Sequence, residues 1–93
     1  TMRFGFKPSF DRSVKTLHGR EKEEIKHVAL QAIDILSQDR LIHKGIGLKR
    51  LKDDFWEIRK GLKVRILFRW QGDLIEFVFV GDHSNIKRYL KSI

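Results

Sequence analysis

The sequence predicts an α+β domain with a small, mainly antiparallel sheet, two N-terminal helices packed on one of its faces, and a short C-terminal helix. The element order expected is β-α-α-β-β-β-α. Three observations lead there. An apolar stripe of helical period runs through the first half, two alternating apolar segments flank a Gln-Gly-Asp turn in the second, and the chain closes on an amphipathic tail.

"RFGF" (3–6) reads as a first strand. Pro8 and Ser9 signal a helix start, with Ser9 as N-cap, and Phe10, Val14 and Leu17 follow at i, i+4 and i+7. Gly19 is expected to break that helix. The clearest helix is "REKEEIKHVALQAIDILSQ" (20–38). Glu21, Glu23 and Glu24 crowd its first turn, where the helix dipole favours negative charge, and Ile25, Val28, Ala29, Ala32, Ile33 and Leu36 form one stripe. Residues 39–54, with two glycines and five Lys/Arg, read as an irregular basic connection.

Three strands are expected next, "FWEIR" (55–59), "KVRILFRW" (63–70) and "LIEFVFV" (74–80), the last two joined by "QGD" with glycine at the centre of a tight hairpin turn. "SNIKRYLKSI" (84–93) completes the chain as a short amphipathic helix, with Asp82 placed to cap it. In the second of these strands Val64, Ile66, Phe68 and Trp70 share one face, and Lys63, Arg65, Leu67 and Arg69 the other. Trp56 and Ile58 oppose Glu57 and Arg59 in the same way. One sheet face should therefore cover the core and the second offer cations, with Trp56 and Trp70 on the core side, packing rather than stacking on bases. Arginines from neighbouring strands gather there if the register brings them level.

The 93 residues suffice for one domain, expected to span 2–93, with Thr1 set aside as a remnant preceding the only methionine, Met2. No segment approaches the ~20 apolar residues needed to span a bilayer, and no signal peptide is recognisable. The absence of cysteine removes disulfides, thiolate metal sites and Cys nucleophiles, and fits a reducing, cytoplasmic setting. No HExxH, Walker loop or Cys/His pairing is present, so neither metal nor nucleotide cofactor is expected. The net charge is +8 and uneven: residues 1–43 contribute +2 and residues 44–93 contribute +6. Such a field draws in polyanions, though a well-solvated basic surface or an acidic protein partner explains it too.

The segment "FVFVGDHSNIKRY" (77–89) concentrates the chemistry, because a core strand runs out at Gly81 into Asp82, His83, Asn85, Lys87, Arg88 and Tyr89. Histidine titrates near neutrality, so His83 suits proton transfer, or it helps cap the helix. Arg65 sits in an otherwise apolar strand, costly without a partner or a purpose. Arg59 either binds an anion or pairs with Glu57 or Asp54. Tyr89 falls in the stripe Ile86, Tyr89, Leu90, Ile93, which is ordinary core spacing. Lys44, Lys49, Arg50 and Lys52 suit RNA phosphates or a solvated loop. His18, His27 and His43 show no ligand spacing and read as surface or packing residues.

"FWEIRKGLKVRILFRWQGDLIEFVFVGDHSNIKRY" (55–89), preceded by two helices, resembles the RelE/ParE superfamily of toxins from type II toxin–antitoxin pairs. The shared motifs are a "Y/W-x-I/L-R" strand, a following "Y/V-R-I/L-x-F/Y" strand and a last strand ending in glycine. The resemblance implies a metal-independent endoribonuclease without cofactor, an mRNA interferase that cuts in the ribosomal A site, near 16S rRNA, and inhibits translation. It further implies a cognate antitoxin and a hetero-oligomer with it, the toxin alone being a monomer. Carried onto this chain, it assigns phosphate stabilisation to Arg65 and Arg59, proton donation to His83, and activation of the attacking 2′-hydroxyl to Tyr89. Glu57 stands where RelE has lysine and is a candidate base. Lys49, Arg50, Lys52, Lys63 and Lys87 are the implied RNA contacts. ParE-like members, which poison DNA gyrase and do not cut RNA, are the alternative.

Overall fold

The computed structural model describes residues 2–37, 47–59 and 63–93. Its elements are β1 (Arg3–Phe6), α1 (Pro8–Lys15), α2 (Gly19–Ser37), β2 (Leu48–Lys52), β3 (Phe55–Ile58), β4 (Arg65–Gln71), β5 (Leu74–Gly81) and α3 (His83–Lys91). The strands form one sheet in the order β1-β5-β4-β3-β2, antiparallel throughout except for the parallel pair β1–β5. The predicted α+β class holds, with one strand more than expected. His43 and Lys44 lie outside the described residues.

That additional strand, β2, comes from the segment read as an irregular connection. Its two leucines face opposite ways: Leu48 packs against the core beneath α1 and α2, and Leu51 against the cluster beneath α3. With one apolar residue per face there is no stripe to detect, and lysines and an arginine elsewhere are what an edge strand carries to discourage further pairing. A bulge between Arg50 and Lys52 disturbs the alternation further.

Both sheet faces are covered. On the first, Ile25, Val28, Ala29, Ala32 and Leu36 of α2 and Phe10 of α1 pack with Ile58, Ile66, Phe68, Ile75, Phe77 and Val80. Phe68 and Phe77 are fully buried, each worth roughly 1.5–3 kcal/mol of transfer free energy. Trp56 and Trp70 pack against this core with ring centroids 5.4 Å apart, as their strand positions predict. On the second face Phe55, Leu67, Val78 and Ile86 form a smaller cluster beneath α3, with Tyr89 and Leu90 against it. The cationic face is therefore not open along its whole length; α3 roofs part of it.

A second bulge sets the relation between the faces. Leu67 pairs with Phe79 but Phe68 with Phe77, leaving Val78 as the extra residue. Val78 and Phe79 then both join the second cluster, while Phe77 and Val80 remain in the first. Pairing with β1 ends at Phe77, so the β5 edge beyond it needs other partners. The α1 serines supply them: Ser9 Oγ donates to the Val78 carbonyl at 2.5 Å, and Val80 N–H donates to Ser13 Oγ at 2.9 Å. This use of Ser9 corrects the expectation that it caps α1. The N-cap is Lys7, Pro8 follows it, and the Lys7 side chain makes no capping bond. Gly19 likewise opens α2 rather than ending α1, which stops at Lys15. The hairpin between β4 and β5 turns at Gly72, whose φ of +57° is the left-handed conformation that glycine adopts without strain. Among the described residues no helix is long and apolar enough to cross a membrane.

Candidate functional site

Register brings the strand-borne arginine to the start of the last helix. Arg65, first residue of β4, pairs with Gly81, last residue of β5. A Cβ at Gly81 would lie 2.7 Å from Asn85 Cβ and 2.9 Å from Phe79 Cε2, so only glycine lets the first turn of α3 fold back this closely on the strand. Asp82 then caps the helix as predicted. Its carboxylate accepts from Asn85 N–H at 2.8 Å, while Asn85 Oδ1 accepts from Asp82 N–H at 3.1 Å, a reciprocal capping box. His83 is the first helical residue, and its ring is thereby turned to Arg65.

Arg65 Nη1 lies 3.0 Å from His83 Nδ1. A guanidinium only donates, so Nδ1 accepts, and the proton of the neutral imidazole sits on Nε2. The same Nη1 donates to Glu57 Oε2 at 3.3 Å, and Arg59 Nε lies 3.6 Å from that oxygen. Four predicted site residues thus form one chain of contacts, Arg59–Glu57–Arg65–His83. Glu57 is only 2% exposed, beside Arg65 at 23% and Arg59 at 45%. A carboxylate buried this deeply is costly to hold without charged partners, and the two arginines are those partners.

Above this chain is a cleft of about 290 Å³ between β2 and α3. Lys49, Arg50 and Lys87 line it with His83 and Glu57, over an apolar floor of Leu51, Ile86 and Leu90. Lys49 is directly opposite Glu57 in the β2–β3 register, and Arg50 Nε donates to the Asp53 carbonyl at 2.8 Å. Of the five cations assigned to RNA, these three therefore converge. Lys52 pairs with Phe55 at the far end of β2, and Lys63 lines a separate hollow of about 300 Å³ with Asp82 and Asn85. The arrangement can hold an anion of phosphate size by guanidinium and ammonium groups beside one imidazole.

Tyr89 is not brought into the cleft. Six residues along a helix amount to ~600°, which leaves Tyr89 roughly 120° from His83 on the other flank of α3. Its ring stacks on Phe79 at a centroid distance of 5.0 Å and an interplanar angle of 26°. At the opposite end of the same sheet face Arg69 makes a two-point contact with Asp54 at 3.1 and 3.3 Å, and its guanidinium lies 5.4 Å from the Phe55 ring centroid. The hydrogen bond from Arg69 holds the Asp54 carboxyl below the ordinary carboxylate value of 3.8. Arg59 thus takes Glu57, not Asp54, from the two acids weighed for it.

Gly81 and Asn85 belong to the 77–89 cluster in the sequence but carry no assigned role there, and the apolar floor does not stand out as part of the site. The Gly-Asp-x-x-Asn run does contain the signal, a strand-ending glycine followed by a capping box. Among the described residues no group of three or more His, Cys, Asp or Glu is placed to hold a metal ion.

No protein-family model matches the sequence, and no curated protein matches it. Solved structures do match its fold. A chain of the RelB–RelE antitoxin–toxin complex of Methanococcus jannaschii is 24% identical, with a TM-score of 0.69 over 91% of this chain and 96% of that one. A chain of the DinJ–YafQ complex of Escherichia coli is 13% identical, with a TM-score of 0.70 over 92% and 98%. A chain of the toxin–antitoxin complex RelBE2 of Mycobacterium tuberculosis is 16% identical, with a TM-score of 0.65 over 88% and 98%. The chain therefore resembles RelE- and YafQ-type proteins in fold over 88–92% of its length, as the motifs of residues 55–89 imply.

Proposed function

We propose that this chain is the toxin of a toxin–antitoxin pair and a metal-independent endoribonuclease acting on mRNA in the ribosomal A site, and so in the cytoplasm. The observation that carries the reading is the 3.0 Å approach of Arg65 to His83 beside a cleft lined by Lys49, Arg50 and Lys87. Cleavage by a ribose 2′-hydroxyl forms a bond from that oxygen to phosphorus and breaks the bond from phosphorus to the 5′-oxygen. It needs stabilisation of the extra negative charge, an acceptor for the 2′-hydroxyl proton and a proton for the leaving oxygen. Arg65 and Arg59 are assigned the first task, solvent water the second, and His83 the third, through its Nε2–H. Lys49, Arg50 and Lys87 guide the strand by its phosphates.

Glu57 is assigned to the arginines it touches rather than to the attacking hydroxyl, because its Oε2 is shared by two cations at 2% exposure. Tyr89 is assigned to packing on Phe79. The toxin–antitoxin complexes among structures of this fold support an antitoxin as partner. In vitro translation with cleavage mapped by primer extension tests the reading. Codon-phased cuts that vanish in His83→Ala are expected. Unimpaired translation together with gyrase-dependent DNA breaks would instead establish the ParE-like activity.

A further inference from the structure

We propose that Glu57 is a positioning residue for His83, acting through Arg65. Its buried carboxylate holds the guanidinium in the orientation that donates to Nδ1, and so fixes the side of the imidazole that accepts. The catalytic consequence rests on the endoribonuclease reading; the tether itself does not.

Glu57 projects from β3 between Lys49 of β2 and Leu67 of β4, in a layer where Leu67 and Ile86 are buried. An apolar side chain is the cheaper occupant of such a site, since pairing seldom recovers the full cost of burying charge. What glutamate supplies there is a fixed negative charge on a paired strand. Arg65, by contrast, is a long, partly exposed side chain at the start of its strand, with several rotatable bonds to restrain.

Both bonds of the tether converge on one nitrogen. Nη1 of Arg65 bears two hydrogens and meets two acceptors, Glu57 Oε2 at 3.3 Å and His83 Nδ1 at 3.0 Å. With five N–H donors on the guanidinium, a tether through Nη1 need not consume the fork that a phosphate takes. Among the described residues, the charged groups around His83 are Lys49 and Arg50 from β2, Glu57 from β3, Arg65 from β4, and Asp82 and Lys87 flanking it along the chain. Asp82 is engaged by the Asn85 N–H in the helix cap. Glu57 is therefore the carboxylate that steadies the cations against the imidazole.

Two-bond proton–nitrogen correlation spectra of 15N-labelled protein at about pH 8, where an ordinary imidazole is neutral, read this directly. In the wild type His83 is expected to carry its proton on Nε2, with the Nδ1 resonance displaced from that of a free acceptor by the Arg65 bond. Glu57→Gln and Arg65→Ala should both abolish that displacement, and Lys87→Ala should keep it. Should the glutamine variant fail to fold, Glu57→Met serves, because an apolar chain of similar size suits the layer. Cleavage by the Glu57 variants should fall about 10- to 100-fold in kcat with KM within about threefold, the mark of a misplaced group rather than weakened binding. A folded Glu57 variant with the wild-type Nδ1 resonance overturns the proposal, as does a wild-type His83 with a free Nδ1. Wild-type protein that cuts no RNA refutes the nuclease reading, while the spectra decide the tether independently.

Discussion

Replacing Gly81 by alanine tests how the last helix is seated. The added Cβ would stand 2.7 Å from Asn85 Cβ and 2.9 Å from Phe79 Cε2, against about 3.5–4.0 Å for an ordinary carbon–carbon contact. About 1 Å must therefore be found, and Asn85 cannot yield it alone because it closes the capping box with Asp82. The first turn of α3 has to lift. His83 belongs to that turn, and its 3.0 Å contact with Arg65 has almost no reserve before it exceeds the ~3.2 Å limit of a good hydrogen bond. We expect a stability loss of about 1–3 kcal/mol, as for other overpacked sites, and a fall in RNA cleavage of about 100-fold, the effect of a displacement of that size on reacting groups. Urea unfolding and single-turnover cleavage measure the two. Gly5→Ala is the matched control, since its Cβ would meet only Glu76 Cγ at an ordinary 3.8 Å. A Gly81→Ala protein with wild-type cleavage and an undisturbed His83–Arg65 bond would show that α3 is not seated through this glycine.

Asp82→Ala removes the α3 cap and should cost about 0.5–2 kcal/mol in chemical denaturation, with fraying of the His83 turn visible as faster amide exchange. Tyr89→Phe keeps the stack on Phe79 and should leave cleavage within about twofold of wild type, whereas His83→Ala should lower it at least about 100-fold, the lower end of the usual general-acid contribution. For Asp54 the sign follows from a folded-state pKa below 3.8: its contribution is complete above the unfolded value and disappears as acid titrates the folded carboxylate. The urea midpoint of Asp54→Asn should therefore fall below wild type near neutrality and converge with it as the pH drops below about 4. Substituting Lys49 or Lys87 by alanine should reduce the salt dependence of single-stranded RNA binding by about 0.7 in log–log slope for each phosphate left without its cation.

Much of what depends on neighbours along the chain was legible in the order of residues, the cap of α1 and the place of Gly19 excepted. Ile25 through Leu36 form a helix stripe because 3.6-residue spacing is local, and Ile66, Phe68 and Arg65 divide between two faces because strand alternation is local too. The Gly72 turn and the Asp82 cap are equally short-range. The site, by contrast, is a product of long-range packing. The Val78 bulge shifts β5 by one residue against β4 and places Gly81, not Val80, opposite Arg65, and nothing in the alternation of either strand announces it. Helix periodicity alone sets Tyr89 about 120° from His83 once both lie inside α3, but seating Ile86 and Leu90 against the sheet decides that His83 is the one facing the cleft. Glu57 reads as one polar residue on an open face, yet α3 closes over that face and buries it against Arg65 and Arg59. Pairing register, helix rotation and burial each depend on segments far apart in sequence. They are settled by whichever packing satisfies all the surfaces together, and local pattern carries no record of that choice.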